Sequence, residues 1–154
     1  MRVVYDASDD AMYIGGFTGT ATDGGCWGGT GSTIARYDNF TKSSTPTLRW
    51  QISLPWFCNT ANGNSVQKAF DVAGDALFVV TSSNYGSGQG PVMVYDTNTG
   101  AQTLTFSGGT IVGGYQNLGW VDIPYGIRAF ELQNGRYLVF VEDDLYGKEV
   151  MYYW

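Results

Sequence analysis

A pattern that returns every 58 residues constrains this chain more than any other feature. Ile34-Ala35-Arg36-Tyr37-Asp38 recurs as Val92-Met93-Val94-Tyr95-Asp96 and again as Val150-Met151-Tyr152-Tyr153-Trp154, so Tyr37, Tyr95 and Tyr153 are 58 residues apart each time. A second marker runs with it. Tyr5 to Ile14 matches Phe70 to Val79 without a gap, and Phe130 to Val139 matches both: an aromatic, an acid, a short polar turn, then an apolar strand. Recurrence at a fixed period signals a repeat architecture, whose units cannot bury their apolar faces alone.

The clearest copy spans Val66 to Phe106. Phe70 to Ala73 and Ala76 to Thr81 read as strands about a Gly74-Asp75 turn. Pro91 to Asp96 reads as a third strand, and Ala101 to Phe106 as a fourth. Four short antiparallel strands in succession make one blade of a β-propeller. The expected fold is all-β, a single propeller region over residues 1–154. Blade 1 covers about 1–54, blade 2 about 66–106, and blade 3 about 126–154, stopping before a fourth strand. A β-sandwich of similar hairpins is the alternative.

Composition narrows the function classes. Aromatics at 16%, 22 glycines and 14% charged residues suit short strands joined by glycine turns. No apolar run reaches the length that crosses a bilayer, so no membrane insertion is expected. A net charge of −6 with eight scattered Lys and Arg argues against a nucleic-acid partner. Histidine is absent, which removes the commonest general base and transition-metal ligand. Met1-Arg2-Val3 begins inside a strand with no signal peptide visible, and the chain reads as a processed form or a fragment of a longer propeller.

In an up-and-down blade, successive turns alternate between the two ends of the sheet. One end here carries short turns. The other carries Thr18 to Ser32, Pro55 to Ser65, Ser82 to Gly90 and Ser107 to Gly126. Long loops on a rigid scaffold are where binding groups sit. Trp27, Trp56, Tyr115, Trp120 and Tyr125 are therefore the candidate binding residues, for a glycan or a protein partner. The competing reading gives those aromatics to the loops' own small cores. Cys26 and Cys58 fall in two loops of that end and form either a disulfide, which favours an oxidising compartment, or two free thiols.

Candidate chemistry is sparse. Glu142, Asp143 and Asp144, in an expected acidic loop from Glu142 to Lys148, are the candidate calcium ligands, against the plainer reading of a solvated turn. Asn39-Phe40-Thr41 carries the N-glycosylation pattern at Asn39. Asp6, Asp71 and Glu131 share one repeat position, and Asp38 and Asp96 another, which points to turn-capping hydrogen bonds rather than catalysis.

The repeat resembles that of the quinoprotein-like (pyrroloquinoline-quinone-type) β-propellers. Val92 to Gly100 is similar to their third strand and turn, and Arg49-Trp50-Gln51 to their Trp-bearing fourth strand. The likeness runs over nearly the whole chain at the level of the blade, a scaffold that hosts many functions. Enzymes of that group hold the quinone in a full ring with adjacent cysteines and calcium. Adjacent cysteines are missing here, so no cofactor is expected, calcium apart. Propellers close with about four to eight blades. The partners expected are therefore other blades, from a longer chain or from further copies. The resulting expectation is a non-catalytic, extracellular or cell-surface binding or assembly module. The alternative is part of a propeller oxidoreductase or lyase whose catalytic groups lie outside this chain.

Overall fold

The computed structural model describes residues 2–18, 31–54, 57–59, 63–65, 67–81, 92–106, 124–143 and 148–154. The chain divides into two compact units, Met1–Trp56 and Phe57–Trp154. The described residues are all-β and form propeller blades, two of four antiparallel strands and one of three.

Unit 1 is the sheet β1 (Arg2–Asp6), β2 (Ala11–Thr18), β3 (Gly31–Asp38) and β4 (Thr47–Leu54), paired in sequence order. Successive side chains of a strand point to opposite faces, and register sorts them here. Ala11, Tyr13, Ile34 and Arg36 are buried. The other face holds two rows, Tyr5-Met12-Tyr37-Leu48 and Val3-Ile14-Ala35. Within those rows Val3, Tyr5 and Leu48 are exposed. Two turn residues, Asp10 at φ 52° and Asn39 at φ 56°, take the left-handed conformation that Asp and Asn tolerate better than other side chains.

Unit 2 opens with a small hairpin, β5 (Phe57–Asn59) with β6 (Gly63–Ser65), inside what the sequence suggested was plain connection. Blade 2 follows as β7 (Gln67–Ala73), β8 (Ala76–Thr81), β9 (Val92–Asp96) and β10 (Gln102–Phe106). Blade 3 is β11 (Pro124–Glu131), β12 (Tyr137–Asp143) and β13 (Lys148–Tyr153). Close approach between these two sheets is concentrated at β7 and β11, with β8 also drawn in. They are inner strands from which the sheets open like a wedge. Ala69, Ala73, Ala76, Phe78, Val80, Val92 and Val94 of blade 2 fill the wedge with Ile127, Ala129, Val139, Val141 and Val150 of blade 3. Each such side chain removed fully from water contributes roughly 1.5–3 kcal/mol for Val, Leu, Ile or Phe.

The Ala129 N–H reaches across the wedge near its apex and donates to Asp71 Oδ2 at 3.1 Å. At the end of the apex the Gly74 turn meets blade 3. Gly74 has φ +51°, and a Cβ there would lie 2.6 Å from Glu131 Oε2 and 3.1 Å from the Tyr137 hydroxyl. Glycine is required twice over, by the left-handed backbone and by the space.

Register refines the repeat. In blade 3 Leu138, one residue past the matched Tyr137, pairs with Tyr153, whereas Met12 pairs with Tyr37 and Leu77 with Tyr95, so the second and third strands of blades 1 and 2 keep one alignment. The first strands do not. Tyr5 pairs with Met12, whereas Phe70 pairs with Val79, two residues further along the matched sequence. A longer turn, Ala7 to Asp10 against Gly74-Asp75, absorbs the difference. The gapless match therefore does not make Asp6, Asp71 and Glu131 structural equivalents. Asp6 does cap its turn, accepting from the Ser8 N–H at 2.9 Å and hydroxyl at 2.7 Å. Asp71 instead reaches the neighbouring sheet.

The sides also change. In blade 2, Met93 and Tyr95 belong to the face away from blade 3 and are each 6% exposed, while Val92 and Val94 face the wedge. In blade 3, Val150 faces the wedge, and Met151 and Tyr153 lie on the side away from blade 2, at 60% and 55% exposure. Because side chains alternate, stepping the third sheet by one residue relative to its neighbour exchanges its faces.

Candidate functional site

The residues singled out from the sequence fall mostly elsewhere. Trp27, Trp56, Tyr115, Trp120, Cys26 and Asp144 lie outside the described residues. Tyr125, Cys58 and Asp143 are strand residues of β11, β5 and β12. Asn39 is exposed in the turn between β3 and β4. The expected acidic loop is shorter than anticipated, because the ladder continues through Glu142 with Glu149 and Asp143 with Lys148. Glu142 is exposed, and its carboxylate lies over the Gly126 backbone, where a Cβ would otherwise sit. Among the described residues no three acidic or cysteine side chains gather as metal ligands.

A polar network at the short-turn end of unit 1 was not foreseen. Arg36 is 2% exposed. Its Nη2 donates to Asp9 at 2.9 Å, its Nε to Asp38 at 2.7 Å and its Nη1 to the Tyr13 hydroxyl at 3.1 Å. Arg49 Nε also donates to Asp38. Burial opposes the Asp38 charge, but the Arg36 and Arg49 hydrogen bonds overcome it and its pKa lies below the usual value. Burial likewise opposes the Arg36 charge, and the same partners hold its pKa above the ordinary one. Next to it, Asp10 accepts from Thr41 Oγ1 at 2.7 Å, the Thr41 N–H at 3.0 Å, the Tyr5 hydroxyl at 2.9 Å and the Lys42 N–H at 3.3 Å. The Thr41 hydroxyl is the largest cause that lowers its pKa, from 3.8 to about 2. Charges matched this fully serve the turn. The sequence signal was present: Arg36 stands where the other two copies hold Val94 and Tyr152.

A described cleft with a stacked aromatic floor lies in unit 2. A cleft of about 320 Å³ opens at the short-turn end, lined by Asp75, Ala76, Val94, Tyr95, Asp96, Thr103, Leu104, Tyr137 and Trp154. Its size is at the lower end of small-ligand pockets, ~300–1,000 Å³. Register builds its floor. The Tyr137 N–H donates to the Trp154 carbonyl at 2.6 Å and the Trp154 N–H to the Tyr137 carbonyl at 3.0 Å, which extends the β12–β13 ladder. The two rings consequently stack, with centroids 5.3 Å apart and planes 25° apart. Phe78 braces both from the wedge, 5.4 Å from Tyr137 and edge-on to Trp154 at 6.1 Å. Trp154 is 45% exposed.

Polar groups rim this platform. Asp75 is exposed at the turn, and Asp96 Oδ1 accepts from the Thr99 N–H at 2.7 Å and hydroxyl at 2.8 Å. The Thr103 hydroxyl donates to the Val94 carbonyl at 3.2 Å and keeps lone pairs to accept with. Burial raises the Tyr137 pKa above its usual value and the Glu131 charge adds to that, while a hydrogen bond with the Asp75 backbone opposes them. Tyr137 thus stays a neutral phenol at physiological pH. The lining contains no basic residue. Among the described lining residues, Asp75, Asp96, Thr103 and Trp154 supply the polar atoms with which the arrangement can hold a ligand. No model of a known protein family and no curated protein matches the chain.

Proposed function

We propose that the chain is a non-catalytic β-propeller binding module whose unit 2 cleft takes a sugar ring. The carrying observation is the half-open Trp154 indole, stacked on Tyr137 beside Asp75 and Asp96. An indole offers a flat apolar surface to the C–H face of a pyranose, while carboxylates accept from its hydroxyls. A quaternary ammonium ligand would also gain from carboxylates and aromatic rings, but cages for such cations surround the charge with several ring faces. Tyr137 and Trp154 use their facing surfaces on each other, which leaves a platform rather than a cage. This reading puts the protein outside the cell or on its surface, where glycans are met.

Saturation-transfer NMR with a panel of neutral oligosaccharides tests the assignment. Ring protons of one face of a terminal sugar should receive saturation, and Asp75→Asn, at an exposed turn position, should weaken binding about tenfold (~1.4 kcal/mol). Trp154→Ala should abolish it. Saturation of choline in preference to every sugar, or sugar binding indifferent to both substitutions, overturns the proposal.

A further inference from the structure

The turn between β11 and β12 carries the dipeptide Asn134-Gly135, and both residues are exposed. Gly135 has φ +73°, and a Cβ built there would meet nothing within 4 Å, so that side of the turn is open space. The Asn134 carboxamide folds back along the chain. Its Oδ1 accepts from the Arg136 N–H at 3.1 Å, and the ring which that bond closes contains both the Asn134 Cγ and the Gly135 nitrogen. Its Nδ2 donates to the Tyr153 hydroxyl at 3.4 Å. An electrophilic carbon and an amide nitrogen thus share one small ring, with no side chain on Gly135 to keep them apart.

We propose that Asn134 is a site of self-modification, which closes to a succinimide on the Gly135 nitrogen and reopens as aspartate and isoaspartate. The Gly135 nitrogen loses its proton to water and forms a bond to Asn134 Cγ. The Cγ–Nδ2 bond breaks, and ammonia leaves with a proton returned by water. As negative charge develops on Oδ1, the Arg136 N–H already donates to that atom, in the manner of an oxyanion hole. Water then adds to one carbonyl of the five-membered ring and breaks its bond to nitrogen. Addition at Cγ gives aspartate. Addition at the main-chain carbonyl gives isoaspartate, whose main chain runs through Cβ and Cγ. No electrons are gained or lost, and water is the only co-reactant.

The Gly135 N–H donates to the Leu132 carbonyl at 2.9 Å, and this bond has to open first. An exposed turn bond exchanges for water at small net cost. Two other exposed turn asparagines show what the pair has that they lack. Asn39 precedes Phe40 and Asn98 precedes the β-branched Thr99, so a side chain crowds the nitrogen in both. The Phe40 N–H is also held by the Asp10 carbonyl at 3.1 Å, and the Thr99 N–H by Asp96 Oδ1 at 2.7 Å. The product differs from its parent in charge and in length. A carboxylate can no longer donate to Tyr153, and isoaspartate adds one main-chain atom to a turn closed by the Leu132 N–H on the Arg136 carbonyl at 2.7 Å.

The test holds residues 1–154, folded, in mildly alkaline buffer at body temperature. Samples taken over time are digested and mapped by mass spectrometry, with electron-transfer fragmentation to tell isoaspartate from aspartate. Mapping also separates Asn134 from Asn62, the other asparagine followed by glycine. The Asn134 peptide should exchange amide for acid at least about tenfold faster than those of Asn39 and Asn98 (~1.4 kcal/mol lower in barrier), with isoaspartate present. Asn134→Gln, which would need a six-membered ring, should keep its mass over the same period. An Asn134 that stays amidated in the folded protein while it converts in the urea-unfolded chain overturns the proposal, because the fold then protects the pair. Conversion to aspartate with no isoaspartate also overturns it, since that is direct hydrolysis without the ring.

Discussion

Asp10 shows how much one side chain can organise. It takes a left-handed backbone conformation and in return aims its carboxylate at the turn opposite, where the Thr41 hydroxyl and two successive backbone N–H groups converge on it. Its folded pKa of about 2 lies below its ordinary 3.8. The stability it supplies is therefore complete above the unfolded value and is lost as pH falls through the folded one. Urea midpoints taken across that acid window should fall, and Asp10→Asn should flatten the decline while lowering stability at neutral pH. Gly74 is the counterpart in unit 2. Gly74→Ala should cost about 1–2 kcal/mol for the left-handed backbone, more if the Glu131 and Tyr137 ends cannot move aside. Chemical denaturation measures it. Neither role was readable beforehand: Asp10 looked like one more turn aspartate, because its partners come from a hairpin thirty residues on.

At the scale of the element, what the sequence made legible was everything local. Strand positions and the short turns follow from alternation and turn residues, and the structure has them. What stayed hidden was set between sheets. The slip of the first strands depends on turn length, and the side that Met151 and Tyr153 occupy depends on which face of blade 3 meets blade 2. No alternation pattern reports that. The candidate cleft was missed for the same reason. Trp154 aligned with Asp38 and Asp96 as a strand-end residue, and only the ladder to Tyr137 turns it into a platform. Asp71 is the clearest case, because its sequence match to Asp6 implied a turn cap. Asp71→Ala would leave the buried approach of the Ala129 N–H unanswered and should destabilise unit 2 by about 1–3 kcal/mol. Asp6→Ala, which removes an exposed cap, should cost about 1 kcal/mol or less. Equal losses for the two would restore the sequence's view of them.

Over the whole molecule, every strand of the three blades hydrogen-bonds to a strand next to it in the chain. The close approach of β7 and β11 in unit 2 is different, since Asp71 and Ala129 are 58 positions apart. Local pairing closes only short loops, which is the fast part of folding, and distant docking is the slow part. Each meander can accordingly take shape as it leaves the ribosome, hairpin by hairpin, well before its neighbour has been made. The tie between Asp71 and Ala129 then acts as a late latch. Its removal should quicken the rate of unfolding and hardly touch the rate of refolding, giving the nascent chain a sequence of finished pages bound only at the last step.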